Sequence, residues 1–189
     1  MNHSEKRLSR EDWLARALAT LDQEGIQGVK VERLAESLGV TKGSFYWHFE
    51  GLQDLLDSLL NYWSVELTQV TVDQLQRIPD DPRDRLLWIW SKIADNRLNE
   101  HDRGMRSWAM MEPHVEEIVR SVDRRRLAYI RELFLDMGFD ADEAELRSRL
   151  SYYYVLGEQA AGFNEPIEAR AALVMPRHQL LTTLSDERE

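Results

Sequence analysis

The chain contains no cysteine, which excludes a disulfide framework, a cysteine-ligated zinc site and a thiol nucleophile. Proline and glycine are scarce, at five and nine, so most of the chain is free to run as helix. No apolar run approaches the roughly 20 residues that span a bilayer, and the opening M-N-H-S-E-K-R is polar. A soluble, unexported, cytoplasmic protein without membrane contact is therefore expected. Alternating strand-like patterns are missing too, and the fold class read from the sequence is all-α. A basic excess is also missing: the net charge is −10, and residues 1–60 carry 7 Lys and Arg against 10 Asp and Glu. Such a balance excludes a strong DNA compactor or RNA chaperone. Any affinity for phosphate has to come from local cations and helix N-termini.

What is present is concentrated in residues 31–49, V-E-R-L-A-E-S-L-G-V-T-K-G-S-F-Y-W-H-F. Val31, Leu34, Ala35 and Leu38 recur at i, i+3, i+4, i+7, one apolar face of a short helix. Gly39 follows where a helix end favours positive φ. Thr41 is placed as N-cap of a second helix with Ser44 at N3, and Val40 with Phe45 has the spacing of a hydrophobic staple. Two short helices about a glycine turn form a helix-turn-helix, whose second helix enters the DNA major groove. That second helix buries Phe45 and Phe49 and turns Lys42, Gly43, Tyr46, Trp47 and His48 outward. Aromatic rings beside a cation on a wet face suit phosphates and base edges. Lys30, Arg33 and Lys42 stand near the starts of the two helices, and Lys6, Arg7 and Arg10 make a small basic arm.

Residues 25–56 resemble the DNA-binding domain of the tetracycline-repressor (TetR) family. The pattern is an end-of-helix glycine, a helix ending L-A-x-x-L-G-V, then T-x-G-x-F-Y-x-H-F and the opening of another helix. The string F-Y-W-H-F is its strongest part. One departure is Leu52, where the family usually has lysine, so no phosphate contact is expected from that position. The resemblance implies an N-terminal three-helix head (1–51) joined by a long helix to a helical-bundle body for ligand binding and dimerisation (52–189). It also implies a DNA face of Lys30, Thr41, Lys42, Gly43, Ser44, Tyr46, Trp47 and His48. Gly43 would permit close backbone approach, Lys42 would donate to guanine, and Tyr46, His48 and Thr41 would meet phosphates. Trp47 would pack on a sugar or brace its helix.

Beyond the motif, Ser9 with Asp12 reads as a capping-box variant opening a helix on Leu14, Ala17, Leu18 and Leu21, closed by Gly25 and Gly28. From Leu52 to about Arg77 the apolar pattern runs without a breaker, and a helix of about 25 residues reaches nearly 40 Å. Pro79 to Arg83 reads as a loop. A helix through Leu86, Trp88, Trp90 and Ile93 then ends before the polar run starting at Asn96. A short helix near Met105 to Met111 follows. Pro113 suits the first position of a helix to Met137, stopped by Gly138. Asp140 with Glu143 caps the next helix, which ends near Gly162. The last segment begins near Pro166 and meets Pro176, where a kink or restart is expected.

Met and Trp cluster in the body. The candidate ligand residues are Trp63, Trp88, Met105, Trp108, Met111 and Phe134, since flexible Met and broad aromatics line pockets for apolar or planar molecules. Trp88, Met105, Trp108 and Met111 are expected to flank one cavity, with Asn96, Glu112 and His114 as candidate polar groups. A helical core is the competing account of each. His114 and Glu117 have a reversed, single-copy version of the spacing used by helical di-metal sites, so no metal or other cofactor is assigned. No catalytic triad, phosphate-binding glycine loop or nucleotide fingerprint is visible, and an enzyme is not expected.

These readings converge on a regulator of transcription, in the family most often a repressor, that is expected to bind double-stranded operator DNA as a homodimer and to be released by a small apolar or aromatic effector. One recognition helix reads too few base pairs, so two heads must meet successive grooves. The last two long helices, about 141–161 and 166–184, would pair with their mates. The alternatives are an all-α ligand-binding protein or enzyme with an incidental helix-turn-helix, and a constitutive DNA-binding regulator without effector.

Overall fold

The computed structural model describes residues 8–78, 80–96, 98–161 and 165–184, and every regular element among them is helical. Lys6 and Arg7 of the basic arm, Pro79 and Gly162 lie outside the described residues. The chain forms two compact units, one of residues 1–69 with 101–119 and the other of residues 70–100 with 120–189.

In the first unit, α1 (Arg10–Glu24) opens on the expected capping box. The Ser9 N–H donates to Asp12 Oδ2 at 2.7 Å, and the Asp12 N–H donates to Ser9 Oγ at 3.2 Å. Two donors that the first turn would leave orphaned are thus satisfied. The helix ends at Gly25, whose φ of 70° is open to glycine at little cost. Its inner face buries Leu14, Ala17, Leu18 and Leu21 as the spacing required, and Trp13 as well. After a 3₁₀ turn (Ile26–Gly28) come α2 (Val31–Ser37) and α3 (Lys42–Phe45). Then α4 (Leu52–Asn61) packs on α1, burying Leu55, Leu59 and Leu60.

The uninterrupted helix expected from Leu52 is broken by a π-helical turn (Tyr62–Glu66) before α5 (Leu67–Leu75). No proline or glycine marks the interruption. Instead Trp63 is buried there, and its indole N–H donates to Asp102 Oδ1 at 3.1 Å. Asp102 is only 3 % exposed and is the first residue of α7 (Asp102–Ala109). That helix lies against α1: His101 Nδ1 pairs with Asp22 Oδ2 at 2.7 Å. Both α4 and α7 pack against α1 within this unit.

Gly104 fits α7 onto α1. A Cβ there would stand 2.5 Å from Asp22 Oδ1, 3.2 Å from Leu21 Cγ and 3.3 Å from the Asp22 amide nitrogen. Asp22 cannot swing away freely, since His101 holds its other oxygen. Overpacking of this kind costs about 1–3 kcal/mol, against roughly 1 kcal/mol recovered from alanine's helix propensity. Gly104→Ala is expected to lower the urea midpoint of unfolding; an unchanged or higher midpoint would mean that the two helices are not in such close contact.

The second unit contains α6 (Pro82–Ala94), the later part of α8 (Pro113–Asp136), α9 (Ala141–Ala161), α10 (Ile167–Ala172) and α11 (Val174–Thr182). Asp81 caps α6, its carboxylate accepting from the Arg83 N–H at 2.7 Å ahead of Pro82. Gly138 takes φ 94° after α8, and Asp140 accepts from the Glu143 N–H at 2.8 Å at the start of α9. Leu86, Trp90, Leu133, Phe134, Phe139 and Ala144 form the centre of the core. Two polar groups buried there are paired: Trp90 Nε1 donates to Ser151 Oγ at 3.0 Å and Arg147 Nη1 donates to the Leu181 carbonyl at 2.7 Å. The last segment restarts at Leu173, which puts Pro176 in the first turn of α11, where a missing N–H is tolerated. No helix among the described residues is long and apolar enough to cross a membrane.

Candidate nucleic-acid interface

Lys30 is the exposed N-cap of α2. Leu34 and Ala35 anchor that helix in the core, and Gly39 turns the chain with φ 70°. The Val40 N–H returns to the Ala35 carbonyl at 3.0 Å, which fixes the angle at which α3 departs. Thr41 has the extended backbone of an N-cap, but its hydroxyl makes no capping hydrogen bond. The Ser44 N–H, which a side-chain cap would take, donates to the Thr41 carbonyl at 3.0 Å instead. The expected side-chain cap is thus corrected, and the Thr41 hydroxyl remains available to a ligand.

Helical turns continue past α3, since the His48 and Phe49 N–H groups both donate to the Phe45 carbonyl, at 2.9 and 3.1 Å. Phe45 and Phe49 stack with centroids 5.2 Å apart, and Trp13 meets Phe45 edge-on at 5.3 Å. This buried aromatic trio holds the segment so that its other side faces water. Lys42 and Gly43 are exposed, Ser44 and His48 are half-buried, Tyr46 is 61 % exposed and Trp47 82 % exposed. At that exposure Trp47 is little packed among the described residues. A Cβ at Gly43 would meet only Thr41 Oγ1, at an ordinary 3.5 Å. Packing does not demand glycine at that position, which leaves the open backbone for something outside the chain.

Two cations of this face are not free. Lys42 Nζ lies 2.5 Å from Glu32 Oε1, and Arg33 Nη1 lies 2.5 Å from Glu24 Oε2. Glu32 was not among the residues singled out from sequence; its ten-residue separation from Lys42 across the turn is the one signal for it. The hydrogen bond from Lys42 is the main cause holding the Glu32 carboxyl below its usual pKa. The pair is accordingly complete above the ordinary carboxylate range and is lost as pH falls through the lowered value. Arg10 is not part of a free arm. It donates to Ser58 Oγ, lies 3.5 Å from Asp54 Oδ1 and sits 4.7 Å over the Phe49 ring, because α1 begins at Arg10 beside α4.

The candidate ligand residues divide between the units. Trp63, Met105 and Trp108 are buried in the first, where Met111 is exposed; in the second, Phe134 is buried and Trp88 is half-buried with Lys92 Nζ 5.8 Å above its ring. Asn96 is engaged, with φ 58° and its Oδ1 accepting from Arg170 at 2.8 Å, whereas Glu112 and His114 are exposed. A 470 Å³ cleft in the first unit is lined by Arg10, Glu11, Leu14, Asp57, Ser58 and Asn61, a polar set unlike the Met and Trp cluster. On α9, Leu146, Leu150 and Tyr153 share one exposed stripe; Leu173, the N-cap of α11, and Leu180 on that helix are exposed as well.

Residues 14–59 match the model of a family described as bacterial regulatory proteins, tetR family. Tetracycline repressor protein class C of Escherichia coli is 27 % identical over 153 residues, covering 80 % of this chain and 64 % of the repressor. The class A tetracycline repressor from transposon 1721, also of Escherichia coli, is 35 % identical over 149 residues, covering 77 % and 64 %. The chain thus spans less than two thirds of the length of these curated relatives. Among solved structures, a transcriptional regulator from Rhodococcus sp. Rha1 superposes with a TM-score of 0.69 at 19 % identity, covering 93 % of this chain and 94 % of that one.

Proposed function

We propose that this chain, a member of the tetR family of bacterial regulatory proteins, represses transcription in the cytoplasm by binding operator DNA as a homodimer and releasing it when a small effector binds. The observation that carries the reading is the outward face of the turns from Lys42 to His48, held by the buried Phe45 and Phe49. It offers a cation, an uncovered glycine backbone and two exposed rings to one groove. Lys30, Thr41, Ser44 and His48 surround them as contacts to the sugar–phosphate chain. Support for two-fold binding comes from the exposed apolar stripe of α9 and the exposed Leu173 and Leu180, which suit a matching surface on a second copy.

An apolar or aromatic effector agrees with the tetracycline named in both relatives and with the Trp and Met side chains of the region after α4. Trp63, Met105 and Trp108, with Trp88, Met111 and Phe134, are the candidates for its contacts. Release is a population shift: the effector must favour the form whose heads no longer fit successive grooves. By linkage, the effector lowers operator affinity by the same factor as operator lowers effector affinity, about 1–3 kcal/mol of coupling. The test takes the operator from genomic fragments that the protein retains and finds an effector by screening aromatic compounds for tryptophan quenching. Effector affinity is then measured with and without saturating operator. Reciprocal weakening is expected, and equal affinities would leave a DNA-binding protein without this switch.

A further inference from the structure

Glu32 stands where a DNA-binding face should be least acidic. It lies in the first turn of α2, its side chain is 60 % exposed, and its carboxylate is 2.5 Å from the ammonium of Lys42, the first residue of α3. Lys42 is itself 57 % exposed. An ion pair this open to solvent adds little to stability, so folding gives weak reason to keep a carboxylate there. A helix N-terminus favours an acid at this point, which is the competing structural account.

We propose that Glu32 is a specificity-determining residue of the DNA face, accepting a hydrogen bond from the amino group of a cytosine beside the guanine that Lys42 reads. The inference rests on the DNA-binding reading above. Successive bases of one strand lie about 3.4 Å apart along the helix axis. A carboxylate 2.5 Å from the Lys42 ammonium therefore falls within one base step of whatever base edge Lys42 reaches. At that depth a carboxylate is repelled by phosphates and by the acceptors of the groove, guanine O6 and N7 and thymine O4. Only the amino groups of cytosine and adenine donate, and the adenine amino group has the acceptor N7 next to it. Cytosine offers its donor with an acceptor on one side only, the O6 of its paired guanine, whereas adenine N6 lies between N7 and thymine O4. The pair Lys42–Glu32 thus presents one donor and one acceptor that match guanine and cytosine, and it penalises other bases by leaving a carboxylate facing an acceptor.

The test is selection from randomised duplexes with the full-length wild type and with Glu32→Gln, each checked for an unchanged thermal midpoint. Wild type is expected to enrich two-fold symmetric sites with cytosine fixed at one position of each half-site. Glu32→Gln is expected to keep the other positions but lose that cytosine, with adenine gaining because an amide pairs with adenine N6 and N7. Discrimination at that base pair should fall by roughly tenfold or more in each half-site. Identical preferences in the two proteins would overturn the proposal while leaving the DNA-binding reading intact. A position lost in the variant that is not cytosine in the wild type would also overturn it. If wild type enriched no sequence at all, the DNA-binding reading would fail and this assignment with it.

Discussion

Tyr46→Ala and Lys42→Ala are each expected to weaken operator binding strongly while leaving helical content, thermal midpoint and assembly unchanged. Tyr46 is 61 % exposed and Lys42, exposed too, pairs with Glu32, so neither supports the core. The aromatic packing that shapes the segment belongs to Trp13, Phe45 and Phe49 instead. Each lost base or phosphate contact costs about 1–3 kcal/mol, and a two-headed protein loses it twice. The two substitutions should differ in character. Loss of Lys42 relaxes preference at one base pair, whereas loss of Tyr46 weakens binding more evenly across sequences. Fluorescence anisotropy with operator and scrambled duplexes separates them. Wild-type affinity in both variants would place the recognition surface elsewhere.

A charge at Leu180 should dissociate the proposed homodimer. Leu180 is 68 % exposed on α11, so Leu180→Glu is compatible with the fold of a single chain. In a two-fold interface the substitution appears twice. Each copy forfeits the roughly 1.5–3 kcal/mol of a buried leucine and adds the cost of dehydrating a carboxylate. Light scattering at micromolar concentration should give the 22.2 kDa chain mass for the variant and twice that for the wild type. Operator affinity should fall with it, since one head alone reads half a site. A wild type that stays at the chain mass at high concentration would remove the homodimer from the account.

How much of this was legible in the sequence depended on whether the signal was local. The capping box at Ser9, the positive-φ glycines at positions 25, 39 and 138 and the Asp140 cap are decided within four residues, and each stands where the spacing put it. The burial of Phe45 and Phe49 against exposed Lys42 and Tyr46 is likewise a short-range periodicity. Features that depend on a distant partner were not readable. Trp13 joins the head core because Phe45 lies edge-on to it, thirty-two positions away. The π-helical turn carries Trp63, whose bonding partner Asp102 arrives on another helix. Arg10, counted with the basic arm, is instead taken up by Ser58 and Phe49. Thr41 shows the limit of a motif: the backbone is that of a cap, yet the Ser44 N–H goes to the Thr41 carbonyl and not to its hydroxyl. The Met and Trp cluster was seen as a group by composition, but its members fall in two compact units, which no periodicity discloses.

The most direct test of the central claim is a footprint of the wild-type protein on a genomic site it retains, combining backbone cleavage with methylation of guanine N7. The two-headed reading predicts two protected patches on one face of the duplex, about one helical turn or 34–36 Å apart, with a guanine in each shielded in the major groove. That shielding should vanish in Lys42→Ala. A single patch, protection confined to the minor groove, or guanine shielding that survives the loss of Lys42 would contradict it.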